Sequence, residues 1–444
     1  VPVYGIAREM YGRRVGLLAA ALLVAYPALA AATPIWGTMT EPLYFLVAYA
    51  GLFFALRALR GGGWGAHLAA GALFGLTYLT RGEGIAYIAV VGGALALVRL
   101  FERRLLSPAV WPRLAGMLGA FVLVALPYWV YLRVETGQWM ISGQAGMTFI
   151  TCISLAYGDA AGFDRATWGL NAAGNEVVFF SPDIVEFSMA QYVVAHPGEF
   201  AALVVQNVRD FAGTLLSNRM FPVLLLPLLV LGGFGAAWDR RRAKGELLLA
   251  ASALPVFSFL LFFVQERYIA AILPLLVIWL AAGVDRWGTW LAETWERLAG
   301  RPAAALWRGV AVAAPAILLV ALFVAMLPRV ATGTSVGSFR PAHREAGLWL
   351  AAHDGDEPTV MSRYPAIAFH AGARWVPTPN AEPAQIMAYA RSHGADYWVL
   401  DERETASLRP QLAGVLGTDQ PAGLRTLAEL DDAGERLVIF EVTP

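Results

Sequence analysis

The sequence predicts an all-α bundle that crosses a membrane many times, followed by a small α/β domain. Three observations predict it. Of 444 residues, 58% are hydrophobic and only 15% are charged, against about 25% charged in soluble domains. The apolar residues fall into long runs, each close to the roughly 20 residues that one helical crossing needs. After about residue 330 those runs stop, charge rises, and short strand-like and helix-like segments alternate. The predicted division is therefore a membrane domain over 1–329 and an α/β domain over 330–444.

About nine spans are expected, at roughly 15–32, 41–58, 66–81, 84–100, 112–132, 220–238, 246–264, 268–288 and 308–328. If they simply alternate in direction, the basic turns all fall on one face. That face collects Arg8, Arg13 and Arg14, then Arg57 and Arg60, then Arg99, Arg103, Arg104 and Arg113. Arg240, Arg241, Arg242 and Lys244 follow, then Arg286, Arg297, Arg301 and Arg308. An excess of Arg and Lys in short loops marks the cytoplasmic side. The chain is read as an integral protein of the cytoplasmic (inner) membrane, with its C-terminal domain outside the cytoplasm.

The opposite face carries sparse, isolated ionisable residues. In the loop Thr33–Pro42, Thr40 reads as a helix N-cap, with Glu41 and Pro42 in the first turn. This sets one carboxylate at the membrane surface, at the positive end of a helix dipole. Glu41 has two readings: a functional acid, or a capping acid that faces water. The same face holds the turn Thr80-Arg81-Gly82-Glu83-Gly84 and the turn Gln265-Glu266-Arg267-Tyr268. It also holds a long outward loop over 133–219, a length typical of functional segments. Within that loop, Glu199–Leu216 reads as an amphipathic helix, with Phe200, Leu203, Val204, Val208 and Phe211 on one side and Asn207 and Arg209 towards the other. It fits either an interfacial helix or one packed over the bundle.

Beyond the spans, helices are expected at Arg344–Ala352, Glu382–Ser392 and Ser407–Leu416. Strands are expected at Pro358–Met361, Tyr397–Leu400, Leu424–Glu429 and Arg436–Val442. The alternation points to a small α/β domain of about 110 residues.

Several chemistries are excluded. Gly61-Gly62-Gly63 lacks the Lys of a phosphate-cradling loop, and no Gly-x-Ser-x-Gly elbow is present. The six histidines include no pair at metal-ligand spacing; His343, His353, His370 and His393 read as surface or packing residues. No cofactor is indicated, and a divalent cation is left open. Lys plus Arg and Asp plus Glu both number 33, so nucleic acid is not an expected partner. The single cysteine, Cys152, gives no disulfide framework and reads as a small apolar residue. An enzyme on the outer face has no ATP or nucleotide sugar within reach, so a transferase there needs its donor on a lipid. Arg81 and Arg267 stand at headgroup depth, where cations recognise a lipid phosphate; interfacial snorkelling, or simple ion pairs with Glu83 and Glu266, would explain them too. Tyr268 and the span Ile269–Trp279 after it could run beside a lipid tail.

Three stretches resemble a known family. They are Tyr11-Gly12-Arg13-Arg14, Thr40-Glu41-Pro42-Leu43, and Gly71-Ala72-Leu73-Phe74-Gly75-Leu76-Thr77-Tyr78-Leu79-Thr80-Arg81. Together they resemble membrane glycosyltransferases of the GT-C fold, above all the bacterial relatives of protein O-mannosyltransferases and of the aminoarabinose transferase that acts on lipid A. Glu266-Arg267-Tyr268 ahead of Pro274 is similar to a turn late in their membrane part. Arg344–Leu350 and Ala395–Asp401 resemble their outward domain. The resemblance implies a sugar donor carried on a polyprenyl phosphate and an acceptor at the outer face: a protein, a glycolipid or a polysaccharide. It implies an acidic residue acting as general base, and Glu41, the catalytic residue expected here, matches the acid of the family's second outward loop. It implies Arg81 and Arg267, with Tyr268, at the donor phosphate, and Glu83 and Glu266 in support.

One departure stands out. The family places a principal catalytic acid in its first outward loop, and no residue here matches it. Val1-Pro2-Val3-Tyr4-Gly5-Ile6 looks like the end of an apolar segment, so the natural protein is expected to begin earlier; the chain as given would then be an inactive fragment of an enzyme. Asp159 or Asp164 in the long loop is the alternative source of that acid. The rival function is a transporter or lipid-handling protein with an extracytoplasmic sensory domain. Against it, no repeat relates the two halves, and ionisable residues sit at span ends rather than within spans.

Overall fold

The computed structural model describes residues 1–29, 40–102, 110–143, 159–181, 189–300, 305–333, 341–354, 357–417, 419–432 and 435–443. The predicted loop residues Thr33–Met39, Cys152, and the basic residues Arg103, Arg104 and Arg301 lie outside them. The helices are α1 (Pro2–Tyr11), α2 (Arg13–Ala25), α3 (Glu41–Leu59), α4 (Trp64–Thr80), α5 (Ile85–Phe101), α6 (Val110–Thr136), α7 (Ala160–Trp168), α8 (Met189–Ala195) and α9 (Pro197–Leu215). They continue with α10 (Leu226–Phe234), α11 (Arg240–Ala251), α12 (Glu266–Ile269), α13 (Leu273–Ala299), α14 (Ala305–Gly333), α15 (Pro341–His353), α16 (Pro365–Ala371), α17 (Pro383–Ser392) and α18 (Glu402–Leu408). The strands are β1 (Thr359–Ser362), β2 (Arg374–Pro377), β3 (Tyr397–Asp401), β4 (Leu424–Asp432) and β5 (Glu435–Val442).

Two compact units result: Val1–Ser142 with Val204–Ser335, and Gly143–Leu203 with Val336–Pro444. Residues 143–203 of the long loop thus belong to the same unit as the C-terminal region.

The first unit is a multi-pass helical bundle. Among the described residues six helical stretches are long and apolar enough to cross a membrane: Glu41–Leu59, Gly82–Phe101, Val110–Thr136, Arg240–Leu261, Glu266–Ala299 and Gly309–Pro328. α10 is apolar but shorter, and α4 has 17 residues. The six long stretches fall on expected spans; of the expected span 15–32, α2 covers the part to Ala25, and residues 30–32 lie outside the described ones. α13 is apolar on all sides over Leu273–Val284 and is almost wholly buried there, as a helix without a polar face must be. It is the central post. α6 is its opposite: Leu123, Tyr131 and Val134 stand exposed, an apolar face suited to lipid. α4 and α6 touch backbone to backbone. A Cβ at Gly71 would lie 1.9 Å from the Met117 carbonyl oxygen, so only glycine permits this approach.

The structure corrects one reading of α9. Asn207, placed by periodicity on the polar side, is 5% exposed. Its Nδ2 donates to the Leu260 and Phe262 carbonyls at 3.0 and 2.7 Å. Leu254–Leu261 is a 3₁₀ helix, and the end of such a stretch leaves carbonyls to be satisfied. A buried amide is the answer.

The second unit holds a five-stranded open sheet of order β2-β1-β3-β5-β4. β1 pairs in parallel with β2 and β3, while β5 runs antiparallel to β3 and β4. β3 is buried along its whole length. Its alternating residues feed two cores: Trp398 and Leu400 pack with Ile386 and Leu412, and Tyr397 and Val399 with Ala346, Leu350 and Ile367. The predicted helix Ser407–Leu416 is displaced. The helix formed is α18, capped by the Asp401 side chain on the Arg403 N–H at 3.0 Å. Pro410 ends the α-helical path, and only a 3₁₀ turn at Pro410–Leu412 follows, because proline removes a donor and clashes with the preceding turn. α16 and β2 carried no expectation. His343, read as surface or packing, is buried against Asp401 with Nε2 at 3.2 Å from Oδ2.

Candidate active site

One end of the helical unit gathers the ionisable residues that the sequence kept apart. α3 begins as predicted: Thr40 occupies the N-cap, Glu41 the first position and Pro42 the second, although the Thr40 side chain makes no cap bond. Glu41 does not face water. It is 3% exposed, so the capping-acid reading fails.

Arg81 arrives from the end of α4. Thr77 and Thr80 return their hydroxyls to the Leu73 and Leu76 carbonyls, closing the last turns. Arg81 itself is extended, and the 3₁₀ turn Gly82–Gly84 leads into α5. A Cβ at Gly84 would lie 2.6 Å from the Thr77 carbonyl oxygen, so glycine lets this turn fold tightly. Arg81 Nη1 meets Glu41 Oε1 at 2.5 Å, and its Nε pairs with Glu83 Oε1.

Arg267 comes from α12, more than two hundred residues away. Its Nε lies 2.7 Å from Gln265 Oε1 and 3.9 Å from Glu41 Oε1. Its Nη2 donates to the Tyr268 hydroxyl at 2.9 Å. Both guanidiniums lie over the Tyr268 ring, Arg81 at 4.9 Å and Arg267 at 4.8 Å from its centroid, and the ring stacks on Phe259 at 4.3 Å. Tyr44 lies beneath Arg81, 5.8 Å from the guanidinium. Such cation–π contacts hold a guanidinium in place without neutralising it.

A buried hydroxyl sets the spacing between α3 and α12. The Tyr49 OH donates to the Ala271 carbonyl at 2.8 Å and accepts from Leu275 N–H at 3.1 Å. Ala270–Ile272 is a 3₁₀ turn between α12 and α13, and Pro274 supplies no N–H. Tyr49 thus bonds the backbone where it departs from the α-helix.

Glu41, Arg81, Arg267, Tyr268 and Glu83 therefore meet at one place. Glu266 does not join them: it pairs with Arg219 at 3.3 Å. Arg219 was missed. It stands just before the span at 220–238, and the rule that singled out Arg81 and Arg267 applies to it equally. The two acids offered as substitutes in the long loop are otherwise engaged. Asp159 caps α7 on the Gly162 N–H at 2.6 Å. Asp164 is fully buried, held by Arg363 Nη2 at 2.5 Å, Arg409 Nε at 2.8 Å and Asn380 Nδ2 at 2.8 Å. Asp164 is thus not an accessible base, whereas Asp159 is exposed and caps α7.

Glu41 Oε2, like Asp285 Oδ1 elsewhere in the chain, is a buried carboxylate oxygen with no hydrogen-bond partner among the described residues. A buried carboxylate oxygen without a partner is costly, and such orphans mark functional positions. The arrangement offers one acceptor for a proton or a hydroxyl, with two guanidiniums alongside that can bind an anion. Among the described residues no group of three or more His, Cys, Asp or Glu could hold a metal.

The architecture is the GT-C fold of membrane glycosyltransferases. Residues 1–131 match the family model for dolichyl-phosphate-mannose-protein mannosyltransferases. The archaeal oligosaccharyltransferase AglB of Archaeoglobus fulgidus, solved with an inhibitory peptide and a dolichol-phosphate, superposes with a TM-score of 0.50 at 15% identity; 98% of this chain and 61% of that one are covered. An oligosaccharyltransferase of the same organism, solved with Zn and sulfate, gives 0.50 at 17% identity, over 91% of this chain and 54% of that one. ArnT of Cupriavidus metallidurans, bound to undecaprenyl phosphate, gives 0.50 at 16% identity, over 99% and 81%. The chain thus spans little more than half the length of the two archaeal structures. A sequence search among curated proteins finds no match.

Proposed function

We propose that the protein is an integral-membrane glycosyltransferase that takes a sugar from a polyprenyl-phosphate donor and passes it to an acceptor at the outer face of the cytoplasmic membrane. The observation that carries this is the convergence of Glu41, Arg81, Arg267 and Tyr268 at one end of the bundle, with Glu41 Oε2 without a partner among the described residues. The match of residues 1–131 to a family of lipid-phosphate-sugar transferases supports it, as does a fold shared with proteins solved with dolichol-phosphate and undecaprenyl phosphate. In this reading Glu41 accepts the acceptor's proton as general base. Arg81 and Arg267 stabilise the lipid phosphate as it leaves, and the Tyr268 ring helps to hold both guanidiniums. Glu83 holds Arg81, and Glu266 orders the α12 turn through Arg219. The Arg-rich end is cytoplasmic, and the C-terminal α/β domain lies outside. The membrane domain is Val1–Ser142 with Val204–Ser335, and the extracytoplasmic domain takes in residues 143–203 of the long loop together with Val336–Pro444.

The test is sugar transfer from a lipid-linked donor in membranes containing the full-length protein. Arg267→Ala should lower transfer at least about 10²-fold, the effect of removing one donor to a developing charge. Full activity in the double variant Glu41→Gln with Arg267→Ala would overturn the assignment.

A further inference from the structure

The Tyr268 ring that carries both guanidiniums is itself held by two phenylalanines. Phe259 stacks on it with the planes 5° apart, and Phe263 meets it edge-on at 5.6 Å. Both come from one stretch of chain, the 3₁₀ helix Leu254–Leu261 and the residues just after it. A 3₁₀ helix of eight residues is unusual, because its hydrogen-bond geometry is poorer than that of an α-helix and runs beyond three or four residues are uncommon. Pro255 and the Ser258 hydroxyl, which donates to the Pro255 carbonyl at 2.6 Å, shape only its first turn. The rest competes with the α-helix. With a rise of about 1.5 Å per residue in place of about 2.0 Å, the α form of this stretch would be about 4 Å shorter. A change of that size would take Phe259 off the Tyr268 ring.

α9 selects the longer form. Asn207 and Phe211 lie one turn apart on one face of α9, and both are buried. The Asn207 amide spends both its donors on the Leu260 and Phe262 carbonyls, and Phe211 packs against Phe257 at 5.2 Å. Leu260 adjoins Phe259 in the chain, so the amide fixes the backbone next to the stacked ring.

We infer that Asn207 is a positioning residue for the donor phosphate. It pins the end of the 3₁₀ stretch, the stretch keeps Phe259 on Tyr268, and Tyr268 keeps Arg81 and Arg267 beside Glu41. Packed side chains and hydrogen bonds of this kind transmit a change at one point to another. What the guanidiniums bind rests on the proposed function; the path to them rests on these contacts alone.

The experiment has two arms, both on the full-length protein in nanodiscs. The first follows hydrogen exchange by mass spectrometry without ligand. The Tyr268 and Ile269 amides donate to the Gln265 carbonyl at 3.0 and 3.2 Å. Asn207→Leu should speed their exchange about tenfold and leave the buried Leu273–Val284 part of α13 as in the parent. Equal exchange at Tyr268 and Ile269 in parent and variant overturns the inference. So does acceleration that spreads equally over α13, which is a general loss of packing. The second arm titrates undecaprenyl phosphate. Asn207→Leu should weaken its binding about fivefold. Adding Phe259→Leu should weaken it no further than the larger single effect, since the two act through one path; fully additive losses overturn that path. If the parent does not bind undecaprenyl phosphate, the proposed function fails, and the first arm still decides whether Asn207 holds the Arg267 turn. Asn207→Ser, with the same expectations, replaces Asn207→Leu in both arms if the leucine variant does not fold.

Discussion

Glu41 and Glu246 are both buried carboxylates in the same helical unit, each 3% exposed, and the chain treats them oppositely. Glu246 is saturated. Its Oε1 accepts from the Tyr11 hydroxyl at 2.6 Å and from Arg242 Nε at 3.1 Å, and its Oε2 from Trp279 Nε1 at 2.9 Å. Arg242 is itself tied down by the Gly232, Gly233 and Ala236 carbonyls. Glu41 shares one oxygen between two arginines and leaves the other without a partner among the described residues. A saturated buried charge holds helices together. An unsaturated one costs stability unless it has work to do. The difference separates a saturated carboxylate from an unsaturated one, where burial alone would not.

Four substitutions break or sharpen this contrast. The largest effect is expected for Glu41→Gln. Transfer from a lipid-linked donor should fall about 10²- to 10⁴-fold, while stability stays within about 1 kcal/mol, because Arg81 keeps Glu83. A large fall in melting temperature without that rate loss would make Glu41 architectural too. Next is Asp164→Asn in the second unit. It leaves Arg363 and Arg409 buried against a neutral amide and should cost about 3–5 kcal/mol, read by denaturant unfolding. Glu246→Gln should cost less, about 1–2 kcal/mol. Its amide oxygen still accepts from Tyr11 or Trp279, and Arg242 keeps its carbonyls. Activity per folded molecule should be unchanged.

The smallest effect is a pH slope at Glu404. Burial pushes its carboxyl above the ordinary value of 4.5, against the pull of Arg363; Asp401 adds to the rise, and His343 and Arg409 oppose it. The folded form then binds the proton more tightly than the unfolded chain. This contribution to stability is fully present below about pH 4.5 and is lost as pH rises through the raised value. Unfolding of the wild type followed over that window should show stability falling with pH, and Glu404→Gln should flatten the slope.

Much of this was legible in the sequence. The spans were visible because hydrocarbon imposes long apolar runs, so their positions follow from composition. Glu41, Arg81 and Arg267 were visible because charge at a span end is rare and therefore conspicuous. Which partner each takes was not legible. Glu266 adjoins Arg267 in sequence yet pairs with Arg219, while Arg267 reaches back to Glu41. Pairing is decided by where α3, α4 and α12 end in space, and no local pattern encodes that. Asn207 was misread for a related reason: its acceptors exist only because Leu254–Leu261 is a 3₁₀ helix. The misplaced helix at Ser407–Leu416 is another matter. Asp401 as a cap and Pro410 as a stop were both on the page, and local chemistry could have set those bounds.

The Tyr49 hydroxyl, bonded to Ala271 and Leu275, acts as a ruler. It lies eight residues along α3 from Glu41, roughly 12 Å towards the bundle interior. Sliding α3 against the chain that carries Arg267 would first have to break that double bond to the backbone. The spacing of Glu41 and Arg267 is thus set by a contact well removed from both, and a phenylalanine at position 49 would alter it without touching either group.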